Sequence, residues 1–221
     1  MDDLSFLDEA SEEGQLKATL KVVLPGGEVC HLSDCINTFM FVDTCPLLYI
    51  AFEDCPLGRL QANVEATSAT AVISLLRYCY TRTYFQSDPE SGPVSLLRHV
   101  ETYKIAEDFN VAELQRMAKV NLSYEIELAM YQPFPPEDLL ESIRFVYRHY
   151  AGLQVGKDHW LLSTLLSYCI SVFSKYNLDN DPEFRQLVDD LPKFKQDLCL
   201  ENMNRKFEDE CKPIDRRLVR F

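Results

Sequence analysis

Glycine is scarce in this sequence, seven among 221 residues, and basic side chains are outnumbered, 22 Lys and Arg against 35 Asp and Glu. The first shortage leaves no glycine-rich loop to cradle a phosphate, since Gly26-Gly27 reads as a hairpin turn. The second gives a formal net charge of −13. Such a surface repels the nucleic-acid backbone, whose binding depends on Lys and Arg displacing counterions. Long apolar runs are missing too. The richest, at 160–166, is interrupted by Ser163 and Thr164 and falls well short of the roughly 20 residues that span a bilayer. The histidines are only His31, His99, His149 and His159. None sits in a nucleophile motif, so no catalytic residue and no enzyme activity are expected.

What is present is ordinary for a folded chain: 47% hydrophobic and 26% charged residues. Eight cysteines suit a disulfide framework in a short secreted protein. The opening residues point elsewhere. Asp2, Asp3, Asp8, Glu9, Glu12 and Glu13 precede the first basic residue, the reverse of a signal peptide. The expectation is an intracellular protein, cytoplasmic or nuclear, with reduced thiols and no membrane association.

Residues 1–16 read as an acidic, flexible N-terminus. Its apolar group Leu4, Phe6 and Leu7 is either part of a mobile tail or a peptide that docks on a partner or a second copy. Ala18, Leu20, Val22 and Leu24 alternate with Lys17, Thr19, Lys21 and Val23, the period of a half-buried strand. Pro25-Gly26-Gly27 turns the chain, and 29–32 returns as a second strand. Residues 33–52 are strongly apolar and are expected to form two short helices broken around 43–46, where Pro46 suits a first helical turn. A third strand follows at 60–66. Ser68 is a candidate N-cap for a helix burying Val72, Ile73, Leu76, Cys79 and Tyr80 on one face. A loop is expected at 85–93. A helix over 94–109 with His99 on its outer side comes next, and Asn110 ends it in left-handed geometry. Another helix runs over 111–131. Pro133-Phe134-Pro135-Pro136 marks an internal boundary, beyond which only helices are predicted. The helix over 158–176 is apolar nearly all round and needs cover on most sides.

Cys30, His31 and Cys35 are close in sequence, with Cys45 and Cys55 further on. Strand geometry sends Cys30 and His31 to opposite faces, so no metal site is expected, and no cofactor. Tyr78, Tyr80, Tyr84 and Phe85 lack surrounding bases and read as packing at a helix end rather than a base-stacking platform.

The order of elements carries a resemblance. The apolar helix ending in Tyr78-Cys79-Tyr80-Thr81, with Leu76 and Tyr84, is followed by 103–111, Tyr-Lys-Ile-Ala-Glu-Asp-Phe-Asn-Val, and then Leu114. Together these resemble the signatures of the BTB/POZ family. The matching positions are Leu76, Tyr78, Tyr80, Thr81, Tyr84, Tyr103, Ala106, Asp108, Phe109, Val111 and Leu114, which the resemblance makes structural. The likeness covers about residues 17–130 and is similar in flavour to BTB proteins of filamentous fungi that carry a helical C-terminal extension.

The resemblance implies an α+β fold, a small sheet flanked by helices. It implies a BTB/POZ-like domain at 17–132, a helical region at 133–210 and a basic tail at 211–221. It also implies a non-enzymatic interaction module, scaffold or adaptor, forming a homodimer and recruiting other proteins. Partners would be a transcription-associated factor or, as the alternative function, a cullin for which this chain recruits substrates. Cullin-binding members carry an acid just before the third strand. Here Pro56-Leu57-Gly58-Arg59-Leu60 places an Arg there, which weighs against that alternative. The candidate association surface is Ile36, Phe39, Met40, Phe41 and Leu48. The opposing reading has these five filling the core of a single chain.

Overall fold

The computed structural model describes residues 4–9, 17–54, 60–85, 95–152 and 159–205. The expectations placed on 10–16, 55–59, 86–93 and the basic tail lie outside them. The chain is mixed α+β and divides into two compact units, Met1–Val94 with Glu101–Val120, and Ser95–Val100 with Asn121–Phe221. The division falls inside two helices, and the Pro133–Pro136 boundary read from sequence lies within the second unit.

The first unit is built on a sheet of order β2-β1-β4-β3. Strand β1 (Lys17–Val23) pairs antiparallel with β2 (Val29–Asn37) and parallel with β4 (Leu60–Glu65), while the two-residue β3 (Glu53–Asp54) lies antiparallel along β4. Alternation holds in β1: Ala18, Leu20 and Val22 are buried, with Thr19, Lys21 and Val23 half-buried between them. The hairpin needs its glycines, because Gly26 and Gly27 adopt φ of 106° and 85°, where an L side chain is strained.

Strand β2 corrects the sequence reading. The expected helix at 33–37 is strand, and β2 runs to Asn37 because its backbone pairs with β1 as far as Lys17. Nine residues of β2 oppose seven of β1 through two register shifts, so the strand is bulged. The expected break in helix is found. A 3₁₀ turn (Thr38–Phe41) is followed by α2 (Pro46–Ile50), a single turn with Pro46 at its start.

Helix α3 (Ala69–Thr81) begins where Ser68 Oγ accepts from the Ala71 N–H at 3.1 Å and donates to Glu101 Oε2 at 2.8 Å. Every residue from Ala71 to Cys79 is buried, including Ser74 and Arg77, so α3 is enclosed rather than buried on one face as expected. It stops at Arg82, in left-handed geometry with φ of 63°.

The apolar group at Phe6 and Leu7 is a second correction. Residues Phe6–Glu9 form a short helix, α1, packed against α3 and β2, with Phe6 4% and Leu7 4% exposed. The Phe6 ring meets Tyr80 edge-on at 5.7 Å, and the Arg77 guanidinium lies over its face at 4.6 Å. Cation–π attraction and apolar burial hold this segment on its own chain.

Helix α4 (Leu96–Asp108) ends as read. Asn110 has φ of 54°, its N–H donates to Glu107 O, and the Val111 N–H reaches back to Ala106 O at 2.7 Å. That pair of bonds is a Schellman closure. His99 corrects the sequence: it is 1% exposed, not outward. Helix α5 (Ala112–Ala129) follows.

In the second unit, α6 (Leu139–Tyr150), α7 (Trp160–Val172), α8 (Pro182–Asp190) and α9 (Pro192–Asn204) pack together, with α7 against α6 and α9. Aromatic edges fill the centre: Tyr147–Phe194 at 5.1 Å, Phe184–Phe194 at 6.0 Å and Phe173–Phe184 at 6.1 Å. Asp181 caps α8 through the N–H groups of Glu183 and Phe184. Asp138 lies just ahead of α6, but its carboxylate serves α4. It accepts from the Leu97 N–H at 2.7 Å and from the Ser95 hydroxyl. Lys175 Nζ donates to Met130 O and Gln132 O, and the Tyr176 hydroxyl to Ala129 O, so carbonyls at the end of α5 and just beyond it accept from side chains 43–47 residues away.

Candidate functional site: an exposed apolar corner

At the corner between β2 and β3 apolar side chains face solvent in a group, as Val120, Tyr124 and Leu128 also do along α5. Asn37 starts the corner. Its Oδ1 accepts from the Phe39 N–H at 3.1 Å, capping the 3₁₀ turn, while its own N–H donates to the Tyr80 hydroxyl at 2.8 Å. The turn and α2 follow in quick succession, and a single helical turn has too few positions to hide both faces. Phe41 and Leu48 go inward, 0% exposed. Phe39 is 62% and Ile50 69% exposed, and Val42, Leu47 and Tyr49 join them in solvent.

The structure therefore divides the five candidate residues. Ile36, Phe41 and Leu48 are buried in the chain's own core, with Phe41 packed against Phe52 at 5.9 Å and Tyr80 at 6.2 Å, and these three are withdrawn as surface anchors. Phe39 is at the surface and Met40 is half-buried beside it. Sequence reasoning missed Val42, Leu47, Tyr49 and Ile50. The signal was there in α2: Leu47 and Ile50 stand one turn apart, on the side away from Leu48.

The motif positions are distributed as packing. Leu76, Tyr78, Tyr84, Tyr103, Ala106, Val111 and Leu114 are buried, and Phe109 is half-buried. Thr81 is exposed and closes the end of α3, its hydroxyl donating to Arg77 O at 2.8 Å. Asp108 is exposed and accepts from Lys104. Tyr80 is half-buried, and burial pushes its hydroxyl up to about 12.

Polar chemistry near the corner is sparse. His31 Nε2 lies 3.0 Å from Asp34 Oδ1, and the Thr19 hydroxyl donates to that same oxygen at 2.8 Å. The hydroxyl faces the carboxylate instead of the imidazole, which is not the order a nucleophilic relay requires. Four residues separate Cys30 from Cys35, a spacing zinc pairs use. Among the described residues, however, no group of three or more His, Cys, Asp and Glu is placed to hold a metal ion. Among the described residues, Cys30, Cys35 and Cys199 are partly exposed, whereas Cys45, Cys79 and Cys169 are buried. No helix among the described residues is long and apolar enough to cross a membrane.

Compared with known proteins, the chain matches no family model and no curated protein sequence.

Proposed function

We propose that this chain is a BTB/POZ-like interaction module that associates with a second copy of itself, and with other proteins, without making or breaking covalent bonds in them. The observation that carries the reading is the corner: Phe39, Val42, Leu47, Tyr49 and Ile50 exposed together over about one turn of chain each side of Cys45. Isolated exposed apolar residues are common on any protein, but a contiguous group of large ones signals a binding surface. Removing such area from water contributes about 25 cal/mol per Å² before association costs. A lasting dimer needs roughly 1,200–2,000 Å² buried in total, so this group serves as the apolar centre of a wider contact.

Further support comes from the arrangement of the first unit. A hairpin, a helical corner, a strand returning parallel to β1, and then α3 with the motif tyrosines follow one another in the order the family resemblance implies. The test is sedimentation of the wild type beside Phe39→Asp and Ile50→Asp. The expected result is a dimeric wild type and folded, monomeric variants, with circular dichroism confirming the fold. A folded wild type that stays monomeric across the accessible concentration range overturns the self-association.

A further inference from the structure

The proline-rich stretch leading from α5 to α6 keeps its apolar side chains in water. Tyr131 is 86% and Phe134 76% exposed, more than any other large apolar side chain among the described residues, and Pro133 is exposed between them. A connection between helices ordinarily turns polar residues to solvent. Ending one helix and starting the next accounts for the prolines but not for the ring among them, since any polar residue would serve at 134.

The stretch is held as well as exposed. At its start, Gln132 O accepts from Lys175 Nζ at 2.7 Å and from the Tyr176 hydroxyl at 2.9 Å. At its end, Pro136 O accepts from the Leu139 N–H at 3.1 Å, and the next side chain but one, Asp138, is bonded to the Leu97 N–H. Between these anchors the covalent chain supplies the stiffness. Pro133, Pro135 and Pro136 each fix φ at about −65° and disfavour helix in the residue before them. Phe134 therefore stands on a backbone with little freedom left to lose.

We propose that residues 131–136, Tyr-Gln-Pro-Phe-Pro-Pro, are the ligand of a separate protein domain, one that reads proline-rich segments in an aromatic-lined groove. Phe134 is the anchor, and Pro135 and Pro136 lie in the groove beside it. Such recognition gains from prolines that are ordered before binding, because less entropy is lost on association. Charge sets the rim. Glu127 and Glu137 are exposed and flank the stretch in sequence, on a chain of net charge −13, so the partner's groove is basic at its edge. A second copy would bring the same acids to that rim and fits it poorly. The proposal goes beyond self-association at the corner and holds whether or not the chain dimerises.

The experiment titrates the full chain into purified SH3, WW and EVH1 domains and follows binding by calorimetry. The expected result is micromolar binding by at least one of the three classes, weakened by added salt. Phe134→Ala is expected to lower that affinity roughly tenfold or more. This variant removes a ring that is already in solvent, and circular dichroism confirms its fold. Phe39→Asp, at the corner, leaves the affinity unchanged. The proposal is overturned if none of the three classes binds, or if Phe134→Ala binds as the wild type does. It is equally overturned if Phe39→Asp abolishes the binding, which would place the contact at the corner instead.

Discussion

Tyr80 and Asn37 hold each other twice across 43 residues of chain: the Asn37 N–H donates to the Tyr80 hydroxyl at 2.8 Å, and that hydroxyl approaches Asn37 O at 3.4 Å. The pair ties the end of α3 to the point where β2 becomes the helical corner. Tyr80→Phe keeps the ring against Phe6 and Phe41 and removes only the hydroxyl. Equilibrium urea unfolding is expected to show a loss of about 1 kcal/mol, the usual net worth of one hydrogen bond. Because burial raises the Tyr80 hydroxyl to about 12 from an ordinary value of 10, the folded chain retains a proton that the unfolded chain loses in between. Its contribution is full below about pH 10 and is lost as pH rises toward 12, and Tyr80→Phe flattens that part of the stability profile.

His99 gives the opposite dependence. Burial, helped by nearby Arg98, lowers its imidazole from 6.5 to about 4. Between those values the unfolded chain takes up a proton that the folded chain refuses. Stability is therefore full above about pH 6.5 and falls as the pH drops toward 4, by at most about 3 kcal/mol from this group. Chemical unfolding at pH 7 and pH 4.5 measures the difference. His99→Leu is expected to shrink it, whatever the substitution does to stability at pH 7.

Core and surface roles at the corner separate cleanly by truncation. Phe41→Ala opens a cavity beneath Phe52 and Tyr80 and is expected to cost roughly 3–5 kcal/mol. Phe39→Ala, measured at low protein concentration where self-association is minimal, stays within about 0.5 kcal/mol of wild type.

The N-terminal segment offers a test of the same kind. A flexible tail tolerates any change. Phe6→Ala is instead expected to cost about 3 kcal/mol, because the ring is enclosed between Tyr80 and Arg77.

Asn177 repeats the geometry of Asn110. It has φ of 54°, with the Leu178 N–H donating to Phe173 O and its own N–H to Ser174 O. Asn177→Ala is expected to destabilise by about 1 kcal/mol and Asn177→Gly to leave thermal stability close to wild type, since only glycine and asparagine enter that region cheaply.

Legibility in the sequence followed the physics of each signal. The alternation in β1, the glycine turn, the Ser68 cap and the left-handed Asn110 are local, and each is readable from a few residues. Ser33, Asp34 and Asn37 have weak strand preferences, and their strand exists because β1 lies alongside; pairing of that kind is invisible one residue at a time. Burial of His99, Glu101, Ser74 and Arg77 was likewise hidden, since polarity at those positions argues for the surface and only the surrounding packing overrules it. In 33–52 the apolar content announced something, but apolar content does not say which side of a short helix turns inward. That is why the sequence reading groups Phe41 and Leu48 with Phe39 and leaves Ile50 out.

The carboxylate of Asp138 sets a limit on where this polypeptide can be cut. It caps Ser95 and Leu97 from beyond the proline-rich stretch, and Lys175 and Tyr176 close the far end of α5 from further still. A shortened chain stopping at residue 132 would lose every one of those ligands for its own helix termini. Residues 17–132, although they carry all of the sheet and all of the motif tyrosines, would then fray at both ends of the α4–α5 pair. Excision at the apparent sequence seam yields a fragment less cooperative than either its length or its pattern suggests.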